Sequence, residues 1–335
     1  MKGYWRDGLL LCVLAGLARV SCNEEAQDQS SQIRFWEPLG PTSSGSVLSL
    51  AVSPEGSVFA GTETGIVFRR LSEAVNWEQV AVLPPEIRAL TITGDSQLVA
   101  GTSSSPYFST DNGTSWTKAA MGLPGYSSQV LSLINRPTGE IFAGTIASDE
   151  TSGGVSVSKD GGASWSAQGL YRRHVYSLAI DMSGAIYAGA RPEFSSIDGG
   201  VFRSIDDGVT WTHADSGLPD DTVWSLSANS DYIVFAGTTS NGLFLSSDNG
   251  ENWIRTNSSL AEETVHAIAL NSLHHVFVAT PTGVYRSTDF GLTWEQINSG
   301  LTDTSILSLT VDSEGFLWVG SEQSGVFRTV RSTVP

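Results

Sequence analysis

Apolar positions along this chain fall into short runs, not into a helical stripe. VLSLAV at 47–52, IRALTI at 87–92, VLSLI at 130–134, VYSLAI at 175–180, VWSLS at 223–227, VHAIAL at 265–270 and ILSLTV at 306–311 recur at similar intervals. Runs this short, each bounded by turn signals, read as buried strands and not as buried helices. A polar turn follows each run and leads to a second strand ending in small residues: VFAGT, LVAGT, IFAGT, IYAGA, VFAGT, VFVAT and LWVGS. A third strand comes next, as in GVFRS at 200–204 and GVYRS at 283–287, and a fourth begins at a tryptophan. Four short strands per unit, a period of about 40 residues and Gly-rich turns predict the blades of a β-propeller. Strand one is expected to be apolar throughout because both its faces meet neighbouring blades. The Ala-Gly pair of strand two is what close sheet-on-sheet packing near a crowded axis requires.

The ends of the chain fix the blade count. Tryptophans 36, 77, 116, 165, 211, 253 and 294 supply one per unit, and the spacings from Trp77 to Trp294 run 39, 49, 46, 42 and 41. The last unit, from Ile306, stops after GVFRTV without a fourth strand, while IRFWEPLG at 33–40 is a fourth strand without a unit. The expectation is an all-β protein: a single seven-bladed β-propeller of four-stranded blades over 33–331, closed by the N-terminal strand. Closure of this kind leaves no free sheet edge between the first and last blades.

Five of the turns before the tryptophan share one pattern, Ser-x-Asp-x-Gly-x-x-Trp: STDNGTSW at 109–116, SKDGGASW at 158–165, SIDDGVTW at 204–211, SSDNGENW at 246–253 and STDFGLTW at 287–294. The aspartates (Asp111, Asp160, Asp206, Asp248, Asp289) can accept turn N–H groups. The glycines supply a positive φ, and the tryptophans (Trp116, Trp165, Trp211, Trp253, Trp294) bury a ring where the next strand begins. The octapeptide resembles the Asp-box, or bacterial neuraminidase repeat, of sialidases, sortilin-type receptors, xyloglucan-cleaving glycosidases and photosystem II assembly-factor propellers. That resemblance implies a structural turn on the face away from any active site.

Composition narrows the partners. The net charge is −17, and the only lysines are Lys2, Lys118 and Lys159. Nucleic acid is therefore excluded as a partner, because phosphate binding needs a basic stripe. Lys2 and Arg6 precede an apolar stretch, Gly8 to Ala18, which is too short to span a bilayer and suits a signal peptide. Cys22 after Val20-Ser21 resembles the lipobox of bacterial lipoproteins, with Arg19 where that family usually has Leu. The resemblance implies a lipoprotein signal peptide over 1–22 with Cys22 as the lipidation site; ordinary secretion is the alternative. Residues 23–32 read as a flexible acidic tether. Beyond Cys22 there is no further cysteine, so neither an intrachain disulfide nor a thiolate metal site is expected in the folded body. No cofactor is expected and no metal, the histidines being scattered or, at His274-His275, pointing to opposite faces of a strand.

Two connections between strands two and three are longer than the repeat needs: TIASDETSGG at 145–154 and ARPEFSSIDGG at 190–200. They lie in adjacent units, with GLYRRHV at 169–175 between them. Surplus loops on a rigid scaffold are where function is usually carried. The ligand-binding candidates are accordingly Asp149, Glu150, Tyr171, Arg172, Arg173, His174, Arg191, Glu193, Phe194 and Asp198, carboxylates, guanidiniums and aromatics suited to a glycan. The channel mouth near Trp224 and Asp220–Asp221 is the next place to look.

Sialidases carry an Arg-Ile-Pro motif and an arginine triad; this sequence holds no Arg-Ile-Pro, which argues against that activity. The expected role is an exported, lipid-anchored, non-catalytic binding scaffold, monomeric, for a glycan or an extracytoplasmic protein of a bacterial cell envelope. Its contact with membrane would run through the lipid anchor only. A glycoside hydrolase or carbohydrate-binding module is the first alternative, and an assembly factor for a membrane complex the second.

Overall fold

The computed structural model describes residues 34–41, 45–72, 74–120, 123, 129–146, 152–192, 199–219, 222–229, 233–256, 260 and 263–334. All of these belong to one compact unit, Ile33–Pro335. The expected signal peptide and tether lie outside the described residues.

The strands form seven four-stranded antiparallel sheets, each in simple sequence order except the last. Blade one runs Val47–Val52, Val58–Thr62, Ile66–Arg70 and Glu78–Val82 from the inside out. Blades two to six open with Ala89–Ile92, Val130–Asn135, Arg173–Ile180, Val223–Ala228 and Ala267–Leu270. Blade seven takes Ile306–Val311, Leu317–Ser321 and Val326–Thr329 from the end of the chain and Trp36–Gly40 from its beginning. Trp36 stands opposite Thr329 and Glu37 opposite Arg328. The Arg328 guanidinium adds an ion pair to Glu37 at 2.6 Å across the same seam. The ring closes as the orphan strand at 33–40 predicts.

Packing near the axis explains the small residues of strand two. Val58–Thr62, Ile141–Thr145, Val234–Thr238 and Leu317–Ser321 are buried at every position. A Cβ on Gly61 would lie 2.5 Å from Ile87 of the next blade, and one on Gly320 would lie 2.5 Å from Val47 across the closure. Serines on strand one stitch blade to blade as well. Ser49 Oγ donates to Ile87 O at 2.8 Å, Ser225 Oγ to Val265 O at 2.8 Å, and Ser308 Oγ to Val47 O at 3.1 Å.

The five octapeptides form one turn, repeated in near-identical geometry. In blade four, Thr210 N–H donates to Asp206 Oδ1 at 2.8 Å and the Thr210 hydroxyl to Asp206 Oδ2 at 2.5 Å. The serine does as much as the aspartate: buried Ser204 Oγ accepts Gly208 N–H at 2.8 Å and donates to Asp206 Oδ1 at 2.8 Å. Gly208 adopts φ 82°, and Asp207 before it is also left-handed at 61°. Trp211 Nε1 then donates to Gly208 O at 2.8 Å and to Gln168 O of blade three at 3.0 Å, tying the turn to its neighbour. Antiparallel pairing puts these turns and the first-to-second-strand turns at one end of the ring, the box end. Second-to-third-strand loops and inter-blade segments lie at the other.

Candidate functional site

In five blades a β-bulge breaks the inner ladder at the residue after the first Val or Ile of the apolar run. The register slips between Val47 and Ser49, Val130 and Ser132, Val175 and Ser177, Val223 and Ser225, and Ile306 and Ser308. The residue in each slip is therefore freed from the blade-to-blade packing that occupies its neighbours. These residues, Leu48, Leu131, Tyr176, Trp224 and Leu307, line a cavity of about 480 Å³. In blades two and six the strand begins two residues later in the repeat, at Ala89 and Ala267, and Arg88 and His266 hold the equivalent place in the same lining. Strand one is thus not apolar on both faces, as the run pattern implies: one position per blade points into the axial channel, at the end opposite the boxes.

The seven positions differ in chemistry, and the differences are grouped. Tyr176 and Trp224 from adjacent blades stack with ring centroids 5.0 Å apart and planes at 23°. Next around the ring, His266 Nδ1 lies 2.8 Å from Ile306 O. A carbonyl only accepts, so Nδ1 carries a proton, and in the neutral ring Nε2 is an acceptor. The opposite arc is charged: Arg88 Nε pairs with Glu86 at 3.1 Å, and Gln129 Nε2 donates to the same Glu86 oxygen at 3.0 Å. Glu86 sits at φ 59°, an uncommon conformation for a non-glycine residue. An aromatic pair and a satisfied polar cluster thus share one cavity, with Leu131 between them on one side of the ring and Leu307 and Leu48 on the other.

The predicted loop cluster meets this mouth only in part. Asp149, Glu150, Glu193, Phe194 and Asp198 lie outside the described residues, as do Asp220 and Asp221. Blade three's expanded connection begins at Ile146, itself a lining residue. It returns at Ser152, whose carbonyl accepts Arg172 N–H at 2.9 Å. Segment 169–175 is not wholly a connection. Arg173 and His174 extend strand one and pair with Pro192 and Arg191, so residues 190–192 are strand as well. His174 packs 6.0 Å from Tyr176 and continues the aromatic row. Arg173 instead lies over the Phe202 ring at 4.7 Å, Tyr171 is exposed, and Arg191 is exposed on the ladder. His174 is the predicted candidate that the structure joins to the mouth. The signal for the rest was the residue after the first Val or Ile of each run, where Leu, Arg, Leu, Tyr, Trp, His and Leu follow one another while the flanking positions stay constant in kind.

No group of three or more His, Cys, Asp or Glu among the described residues is placed to hold a metal. Among them, too, no helix is long and apolar enough to cross a membrane.

The chain belongs to the DUF6242 beta propeller domain family, whose profile matches residues 7–245. A two component regulator propeller profile matches residues 300–323. No curated protein matches the sequence. Among solved structures, the extracellular domain of BT4673 from B. thetaiotaomicron is similar with TM-score 0.71 and 16% identity, over 88% of this chain and 40% of that one. YCF48, solved bound to D1 peptide, is similar with TM-score 0.69 and 17% identity, over 89% and 97%. PorZ of Porphyromonas gingivalis, a surface component of the type-IX secretion system, gives TM-score 0.67 and 15% identity, over 85% and 46%. The chain thus spans less than half the length of the BT4673 and PorZ chains. At these identities the likeness is one of fold.

Proposed function

We propose that this propeller is a non-catalytic binding scaffold of a bacterial cell envelope, anchored through an acylated Cys22, that takes the end of a glycan into its channel mouth. The observation that carries the reading is the Tyr176–Trp224 stack facing Glu86, Arg88 and Gln129 across one cavity. A sugar ring offers an apolar face to an aromatic plane and hydroxyls to charged and amide groups, and this mouth offers both. Binding without hydrolysis fits the lining better than the glycosidase alternative. Glycoside cleavage ordinarily needs two flanking carboxylates, and among the described lining residues Glu86 is the one carboxylate, already engaged by Arg88 and Gln129.

A peptide is the second reading, favoured by the likeness to YCF48, which was solved with a D1 peptide. That likeness also keeps the assembly-factor alternative in view. Titration of the protein with neutral oligosaccharides and, separately, with short peptides, read by tryptophan fluorescence and calorimetry, decides between them. Saccharide binding that weakens about tenfold in Trp224→Ala, the loss of roughly one stacking contact of 1.4 kcal/mol, supports the glycan reading. Peptide binding with the same dependence transfers the site to a protein partner. Binding that ignores Trp224 overturns the assignment of the mouth.

A further inference from the structure

Exposed apolar side chains are distributed unevenly over the ring. Among the described residues, every large exposed one except Val82 and Tyr171 lies at the box end. Val75 is 82% exposed, Met182 81%, Ile205 75% and Leu292 73%. The turns do not require them. The second and sixth places of the octapeptide are Ile205 and Val209 in blade four but Thr110 and Thr114 in blade two, and both turns close with the same hydrogen bonds. The apolar tips come from blades one, four, five, six and seven, and the described residues of blades two and three contribute none.

The N-terminal strand enters the fold at the same end. Trp36 pairs with Thr329, which ends its strand where the other blades place the box serine. Blade seven, which receives this strand, lies within the apolar arc. Cys22 precedes Arg34 by twelve residues, a span of about 40 Å at full extension. A tether from Cys22 therefore joins the fold at the box end and not at the channel mouth. We propose that the box end is a lipid-contacting surface: the tips of blades four to seven and one rest in the headgroup layer, and the channel mouth faces away from the membrane. The inference rests on the Cys22 anchor of the preceding reading.

Depth-dependent quenching tests it on the full chain extracted from bacterial membranes and reconstituted in vesicles with nitroxide-bearing lipids. Fluorophores are attached at Val209→Cys or Leu292→Cys and, as controls at the opposite end, at Val82→Cys or Tyr171→Cys. Quenching at the box-end positions several-fold stronger than at the controls is the expected result. Equal quenching in vesicle-bound protein overturns the orientation and leaves the anchor standing. Box-end labels shielded from aqueous quencher yet untouched by lipid nitroxide would mean a protein covers this face, which also overturns it. A parent chain that takes up thiol label at Cys22 and stays in the aqueous fraction overturns the anchor and the orientation together.

Discussion

Trp36 stands opposite Thr329 in the ladder that joins the beginning of the chain to its end, and its ring is fully buried between blades six and seven. Its indole N–H donates to Ile297 O of blade six, so one side chain ties the closing strand to two blades at once. Truncating it removes a large buried ring and leaves that carbonyl unmet. Trp36→Ala is expected to cost about 3–5 kcal/mol, as large aromatic truncations in cores do, read as a lower urea midpoint. A chain lacking only 23–31 should keep its midpoint. Equal losses in the two proteins would show that the first strand does not close the ring.

The octapeptide turns should fail through the serine as readily as through the aspartate. Ser204 Oγ is the acceptor for Gly208 N–H, and both groups are buried. Ser204→Ala leaves that N–H without its partner, a loss of about 1–3 kcal/mol. Ligand binding measured well below the melting point should not change, because the mouth lies at the other end. A stable Ser204→Ala protein that no longer binds would move function to the box end.

Much of this architecture was legible in the sequence because each repeat restates it. The closing strand, the close glycine contacts such as Gly320 against Val47, and the turn chemistry all follow from local rules applied unit after unit. Of the channel mouth, only Trp224 was legible. A bulge is invisible in a hydrophobic pattern, so Tyr176 and the leucines Leu48, Leu131 and Leu307 look like core residues of strand one. Only register, a property of paired strands, turns them toward the axis. The serine of the octapeptide was likewise missed, since a hydroxyl's acceptor role depends on a backbone N–H four residues on.

Acid should weaken the fold through these turns. Asp111 is held at about 2, chiefly by the Ser115 hydroxyl, then by Ser115 N–H and Ser109. Asp206 and Asp289 are lowered by the Thr210 and Thr293 hydroxyls and N–H groups, and Asp248 by the Asn252 side chain and N–H. At Asp160 partial burial opposes the shift, and the bonds from Ser164 and Ser158 outweigh it. A carboxylate lowered in the folded state binds its proton more readily when unfolded. Its stabilisation is therefore complete above the unfolded value of about 3.9 and is lost as pH falls toward the folded value. The melting temperature is expected to hold from neutral pH to about 4.5 and to drop steeply between about 4 and 2. In Asp111→Asn the drop should be shallower; an unchanged slope would remove the turns as its cause.

Gly237 approaches the next blade so closely that a Cβ would lie 2.6 Å from Val265 and 2.3 Å from Ser225 Oγ. Its φ is not in the left-handed region, so the demand is for space alone. Gly237→Ala should cost about 1–3 kcal/mol by overpacking. The double variant Gly237→Ala with Val265→Ala should recover part of that loss, because the second change makes room. No recovery in a double-variant cycle would mean that the serine, not the valine, sets the limit.

The mouth and the expanded loops make separable demands on binding. Trp224 lines the cavity directly, held against Tyr176 and half-buried, while its neighbours Val223 and Ser225 do the packing between blades. Trp224→Ala should therefore leave the melting temperature within a few degrees while weakening ligand capture about tenfold. The expanded connections at 145–154 and 190–200 have described ends beside the cavity: Ile146 lines it, and Arg191 pairs with His174, whose ring meets Tyr176. Loop length costs little free energy, so trimming both to the four-residue TPTG turn of blade six should also spare the fold. If the loops complete the site, their removal shortens the bound lifetime without abolishing stacking, and the off-rate rises while quenching of Trp224 by ligand persists. Capture lost entirely on trimming, with Trp224→Ala binding as the parent does, would place the site in the loops and leave the channel as scaffold.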